Sequence, residues 1–457
     1  MRLFYAIVLT VLAALPARAE VDIQEVTSPG GITAWLVEEH SIPFVALDVR
    51  FRGGASLDAP EKRGAINLMT GLLEEGAGDM DAREFARAAE GLDSRFRFSV
   101  DDDALSVSSR FLTENQDASI ALLKQALQTP RFDPDAIERV RGQVLSGIRS
   151  SAKDPNDIAR KKMDELLYGD HPYGSPLSGT EETVTALTRD DLVAAHNAVL
   201  ARDRIFIGAV GDITPEELGL MLDELLGDLP ETGAPLPPQA EVSIPSGTTV
   251  VDFPTPQSVA IFAQKGISQK DDDFFAATVL NQVLGGGSFE SRLMTEVREK
   301  RGLTYGVYSY LVPMDLAETW QGSVSSANDR IGQAMDVIKD EWAKAAAEGV
   351  TQQELDDAKT YITGSYPLRF DGNQTIASIL VGMQMIDLPI DYIATRNDKV
   401  PYDRRVWRGL GIGRGGNGRR GCLRGFGRTR RQTGPERAGN NCDSDNAQHS
   451  VALKVLT

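Results

Sequence analysis

The sequence predicts an α+β fold made twice: two homologous halves, each a mixed, mostly antiparallel sheet with helices packed on one face. Three observations carry this. Stretches of two-residue alternation, the period of a strand, are followed by apolar helical runs in both halves. The order of those stretches repeats: 259–266 takes the place of 47–54, 274–284 that of 64–75, and 349–366 echoes 132–148. A proline-rich segment, 230–245, separates the halves and reads as an exposed, semi-extended linker. Duplication at domain length is informative because each copy has to bury its own sheet face.

The elements follow in order. In residues 1–19 one basic residue, Arg2, precedes an apolar core from Leu3 to Leu15, and the small-x-small site Ala17-Arg18-Ala19 follows. This pattern predicts a secretory signal peptide, with a mature chain starting near Glu20 in a periplasm or outside the cell. No other run is long and apolar enough to span a bilayer. The first half, 20–229, opens with strands at 21–37 and 44–51 and a helix at 64–75. A helix at 82–92, a hairpin of 96–100 with 105–111, and helices at 115–127 and 134–150 complete most of it. The second half, 246–400, restarts the series. In 401–457 the pattern ends: 12 basic and 4 acidic residues give +8, against −26 for the rest and −18 overall. Both cysteines, Cys422 and Cys442, fall there too. A genuine Arg/Gly-rich anion-binding tail is one reading. A frameshift near Val400 is preferred, because composition, charge and cysteine use change within a few residues. On that reading the second sheet lacks an edge.

The 457 residues, 41% apolar and 25% charged, describe a globular chain of more than one domain. The acidic body excludes nucleic acid as its partner, since phosphates are repelled. Four histidines, His40, His171, His196 and His449, are too scattered for a helical ligand pair. Asp101-Asp102-Asp103 reads as a charged turn, and Glu74-Glu75 as a solvated helix face.

The most distinctive stretch runs from Gly285 to Ser309, GGGSFESRLMTEVREKRGLTYGVYS. Three glycines break an apolar helix, and a new helical pattern closes at Lys300-Arg301-Gly302. Strand alternation then runs through Leu303, Tyr305, Val307 and Ser309. Arg298 therefore sits in the last helical turn and Tyr305 near the start of the next strand. On pattern alone, such an arginine complements the helix dipole and such a tyrosine packs.

This stretch closely resembles the C-terminal-half signature of the pitrilysin/insulinase zinc metallopeptidases, the inverzincins. The resemblance implies that Arg298 and Tyr305, seven residues apart as in that family, hold a substrate's backbone and carbonyl. In active members the helix equivalent to 64–75 carries H-x-x-E-H, and a second glutamate downstream completes the zinc site. Here Asn67 and Gly71 stand at the histidines, Thr70 at the general base, and Gly147 at the downstream ligand. None of the four supplies an imidazole or a carboxylate. Bacterial members of this family often occur as two chains, one with H-x-x-E-H and one with the Arg/Tyr pair. The resemblance thus implies a non-catalytic, substrate-binding subunit of a heteromeric zinc peptidase. It would be inactive alone and hold no metal of its own, with zinc in an H-x-x-E-H-bearing partner. The alternative is a peptide-binding or scaffolding pseudoenzyme with no proteolytic role.

Overall fold

The computed structural model describes residues 21–287, 290–400 and 451–456. The signal peptide predicted at 1–19, the two cysteines and His449 lie outside the described residues. In chain order, β1 (Gln24–Thr27), β2 (Thr33–Glu38) and β3 (Phe44–Arg52) lead to the helices α1 (Ala65–Thr70) and α2 (Ala82–Gly91). The hairpin β4 (Arg95–Val100) and β5 (Ala104–Leu112) is followed by α3 (Gln116–Gln128), α4 (Pro134–Ser151) and α5 (Pro155–Tyr168). Then come α6 (Arg189–Val199), β6 (Ile205–Gly211) and α7 (Pro215–Leu226). Beyond the linker run β7 (Gly247–Asp252), β8 (Gln257–Lys265), α8 (Phe274–Leu284) and a π-helical turn (Met294–Glu299). The chain continues through β9 (Val307–Pro313), β10 (Glu318–Ala327), α9 (Ile331–Glu348), α10 (Gln352–Ser365), α11 (Asn373–Met385) and β11 (Val451–Leu456).

The helices start where local chemistry stops their first amides from being orphaned. Asp81 with Glu84, Thr188 with Asp191, and Thr214 with Glu217 form reciprocal capping boxes ahead of α2, α6 and α7. The helix expected at 64–75 is shorter. It ends at Thr70 because the Leu72 and Leu73 amides turn back to the Met69 and Thr70 carbonyls (2.9 and 3.4 Å), tightening the chain just past Gly71.

Besides a two-stranded ribbon of Gly76–Ala77 with Met80–Asp81, two larger sheets form, in the orders β1-β2-β6-β3-β5-β4 and β9-β10-β8-β11-β7. They share one topology. In each, the last strand in sequence lies between a parallel neighbour and an antiparallel one: β6 between β2 and β3, and β11 between β7 and β8. The remaining pairs are antiparallel. The expectation that the second sheet lacks an edge is therefore corrected. Val451–Leu456 pairs with β7 from Gly247 to Asp252 and with β8 from Ala260 to Ala263, so the slot is filled from inside the sheet.

The chain folds as two compact units that cut across the sequence halves. Of the described residues, the first gathers 21–151, 170–239 and 361–400; the second gathers 152–169, those of 240–360 and β11. In the first unit, Val45, Leu47, Val49 and Phe51 point from β3 into a core shared with Ile66, Leu68 and Met69 of α1 and with α3, α4, α6 and α7. In the second, Ala260 and Phe262 of β8 face Ile331, Ala334, Met335 and Ile338 of α9.

To this helical layer each unit adds one helix on the sheet's other face. In the first unit it is α11, whose Ala377, Leu380 and Met383 pack on Trp35, Ala46 and Val210. Arg50 donates to the Ser378 hydroxyl (2.6 Å), and Arg52 to the Met385 carbonyl. In the second unit it is α5, which lies on β8 and β11. Each unit's extra helix comes from the other sequence half, and each fully buried leucine or methionine it contributes is worth about 1.5–3 kcal/mol. Burial on both faces also explains why β3 is closed to solvent almost throughout.

Candidate functional site

The stretch following the glycine run builds a corner in the second unit. Leu293, Met294 and Val297 are buried against β8 and α9 and fix one side of the π-helical turn. Its widened register shows in the Lys300 amide, which donates to the Thr295 carbonyl five residues back (3.0 Å). Gly302 then takes φ +60°, a left-handed conformation that suits glycine. From there the Gly302 amide reaches the Arg298 carbonyl (2.8 Å) and the Leu303 amide reaches that of Val297 (3.0 Å). This is a glycine helix closure opened by one residue, and it satisfies carbonyls that would otherwise be orphaned. Glu296 holds Lys300 and Arg301 at 2.6 Å each. Arg298 is left half-buried on the turn. Single π-turns inside helices are frequent at functional sites because they re-aim side chains.

Alternation placed Tyr305 with Leu303 and Val307 on one face of a strand. The structure differs. β9 begins only at Val307; Leu303 and Val307 are buried, whereas Tyr305 is 88% exposed in a bend. Thr304 makes the bend. Its hydroxyl accepts from the Gly306 amide (3.0 Å) and donates to the Ser325 carbonyl (2.6 Å) on β10. The Ser326 hydroxyl donates to the Leu303 carbonyl on the same side. A phenol is thus displayed on a fixed backbone without packing of its own. Tyr308 and Tyr310 follow on the outward side of β9, 43% and 40% exposed, and partial burial raises the Tyr310 phenol's pKa. Neither these two nor Thr304 was singled out from the sequence, although a threonine hydroxyl can turn the chain by bonding the backbone two residues on, as Thr304 does with Gly306.

The corner is braced from behind. Arg292, just before the π-turn, forms a two-pronged ion pair with Glu354 of α10 (2.6 and 2.8 Å) and donates to the Gly349 carbonyl (3.0 Å). Burial works against the Glu354 charge, but Arg292 and the Thr351 amide and hydroxyl outweigh it and hold the carboxyl at about 2.

The four zinc-site positions lie in the first unit, and their residues do not fit a metal. Asn67 is half-buried in α1. Thr70 is buried and gives its hydroxyl proton to the Ile66 carbonyl (2.7 Å). Gly71 and Gly147 offer no side-chain donor, and Gly147 is exposed on α4 with open space where a side chain would stand. Among the described residues no three histidine, cysteine or acidic side chains gather to replace them. His40 bridges Asp212 (2.8 Å) and Glu38 (3.1 Å) on the surface, and those hydrogen bonds raise its pKa. His171 accepts from the Tyr173 amide and donates to the Pro238 carbonyl (3.0 Å), a turn role that uses both ring nitrogens. His196 spends Nε2 on the Leu127 carbonyl (2.8 Å). Asp101, Asp102 and Asp103 form the β4–β5 turn as expected. Asp101 caps the amides of Asp103 and Ala104, Asp102 pairs with buried Arg63 (2.6 Å), and Asp103 accepts from Tyr173.

The sequence model described as insulinase, peptidase family M16, matches residues 34–181, and that of the peptidase M16 inactive domain matches 186–362. The chain belongs to the insulinase family. Among relatives of this insulinase-family chain, the non-peptidase homolog YmxG of Helicobacter pylori is 30% identical over 75% of this chain and 79% of its own length. An uncharacterized zinc protease, YmxG of Bacillus subtilis, is 23% identical over 77% of this chain and 86% of its own. A crystal structure of a peptidase M16 inactive domain from Pseudomonas fluorescens superposes with a TM-score of 0.80 at 26% identity, covering 95% and 97% of the two chains. A protease from Helicobacter pylori shares the fold with the same TM-score at 14% identity, over 95% of this chain and 100% of that one.

Proposed function

We propose that this chain is the non-catalytic, substrate-holding subunit of a two-chain periplasmic zinc peptidase whose other chain carries H-x-x-E-H. One observation carries the reading. Tyr305 is held out to solvent by a buried, doubly bonded Thr304 beside the π-turn that bears Arg298, in a chain whose zinc-site positions are Asn67, Thr70, Gly71 and Gly147. A scaffold needs neither the π-turn nor the displayed phenol. The phenol and the guanidinium are hydrogen-bond donors suited to a substrate carbonyl whose oxygen gains charge during cleavage. The metal chemistry belongs to the partner. The name of the Helicobacter pylori relative, a non-peptidase homolog, is in keeping with this division.

The test is reconstitution with an H-x-x-E-H homologue from the same cell. Cleavage of unfolded peptide should appear only in the mixture. Arg298→Ala and Tyr305→Phe should each lower turnover about a hundredfold in a complex whose size is unchanged, since one preorganised donor is worth on the order of 3 kcal/mol. Near-normal turnover in both variants would leave the scaffolding pseudoenzyme as the better account.

A further inference from the structure

On the outer face of the first unit's six-stranded sheet, α11 lies over β2, β3 and β6 and over the Ala104 end of β5. The open part is formed by β4 and by β5 beyond Ala104, toward Arg110. Its outward positions are Arg95, Arg97 and Ser99 on β4 and Ser106, Ser108 and Arg110 on β5, three guanidiniums and three hydroxyls. The three arginines are exposed, and among the described residues none forms an ion pair. The nearby carboxylates of the β4–β5 turn are engaged elsewhere: Asp101 with amides, Asp102 with Arg63, Asp103 with Tyr173. Arg110 lies over the Phe44 ring (5.6 Å).

Charges on an edge strand commonly guard against aggregation, and that would account for Arg95 and Arg97. It does not account for Arg110. That residue is on an interior strand and pairs in register with Arg95, a placement of like charges that weakens a sheet. Nor does overall composition explain it, because the chain is strongly acidic. Unpaired arginines in register, flanked by hydroxyls and an aromatic ring, are an arrangement that an incoming carboxylate would relieve.

We propose that the open β4–β5 face binds an acidic peptide segment, its carboxylates bridging Arg95, Arg97 and Arg110. The inference goes beyond the substrate-holding reading, and its test needs no second subunit.

The full chain is titrated into a fluorescently labelled, glutamate-rich peptide and into its glutamine counterpart, with binding read by anisotropy. The glutamate peptide should bind, more weakly as salt rises, and the glutamine peptide should bind at least about tenfold worse. The double variant R97Q/R110Q should lose about tenfold in affinity, while R97K/R110K, which keeps the charge, should stay within about threefold. Both variants leave the arginines beyond residue 400 in place, so a loss reports on the sheet. Equal binding of the two peptides, unchanged affinity in R97Q/R110Q, or an equal loss in both double variants overturns the proposal. So does tighter binding of a single-stranded oligonucleotide of matching charge, which would make this a phosphate-binding face.

Discussion

Replacing Gly208 by alanine tests how closely α11 is seated on the first sheet. The glycine is on β6, with no left-handed φ, so alanine meets no backbone strain there. The obstacle is space. A Cβ at this position would stand 2.4 Å from the Ala377 carbonyl oxygen, 3.1 Å from the Leu380 Cβ and 3.2 Å from the Ala377 carbonyl carbon. The first of these is backbone and cannot rotate away. The helix must retreat by roughly 0.5–1 Å, a gap that forfeits a quarter to a half of the dispersion energy across the contact. Overpacking of this kind costs about 1–3 kcal/mol. The loss falls on the docking of α11, where Trp35, Ala46 and Val210 meet Ala377, Leu380 and Met383, and where Arg50 reaches Ser378. Amide exchange across 373–385 should therefore accelerate by about 5- to 150-fold in Gly208→Ala, with α3 in the inner layer unaffected. Hydrogen–deuterium exchange resolved by peptide reads both regions at once. Unchanged exchange in α11, or equal acceleration in α3, would refute the reasoning.

Two other predictions concern the corner that bears Arg298. Glu354 titrates near 4.5 when unfolded and is held at about 2 in the fold, so its pairing with Arg292 stabilises the chain fully above pH 4.5 and is lost as pH falls toward 2. With the side chain 30% exposed, the contribution is on the order of 2 kcal/mol. Unfolding of Glu354→Gln should be less stable at neutral pH and flatter between pH 4.5 and 2; a pH slope identical to wild type would count against it. Thr304→Val removes the hydroxyl that serves the Gly306 amide and the Ser325 carbonyl, and should cost about 1–3 kcal/mol. In the reconstituted complex it should also lower turnover, though less than Tyr305→Phe. Full turnover despite the destabilisation would show that the bend does not position the phenol.

The duplicated strands were legible because a two-residue period and a repeated order leave few alternatives, and β3 and β8 fall where the repeat puts them. The position of Arg298 near a helix end was legible because basic residues followed by a glycine, Lys300-Arg301-Gly302, mark a helix closure. The surroundings of Tyr305 were not. Strand alternation treats Thr304 as one more residue, whereas its hydroxyl competes for backbone partners and turns the chain before β9 starts. α11 is apolar on most sides, so no polar stripe marks which face meets a sheet, and two similar sheets are available to it. Arg110 was hidden because a single arginine in an alternating strand looks like ordinary solvated surface; only the register with Arg95 shows the opposition.

The exchange of helices between the sequence halves governs the order of events during synthesis. β6 completes the first sheet at Gly211, yet the helix that covers Trp35, Ala46 and Val210 ends at Met385. At typical elongation rates the intervening chain takes roughly 10–35 s to emerge, far longer than a sheet of this size needs to form. For that interval the nascent first unit presents a bare apolar sheet face. A chain cut at the linker would present it permanently, so the halves defined by sequence are the wrong places to divide this protein.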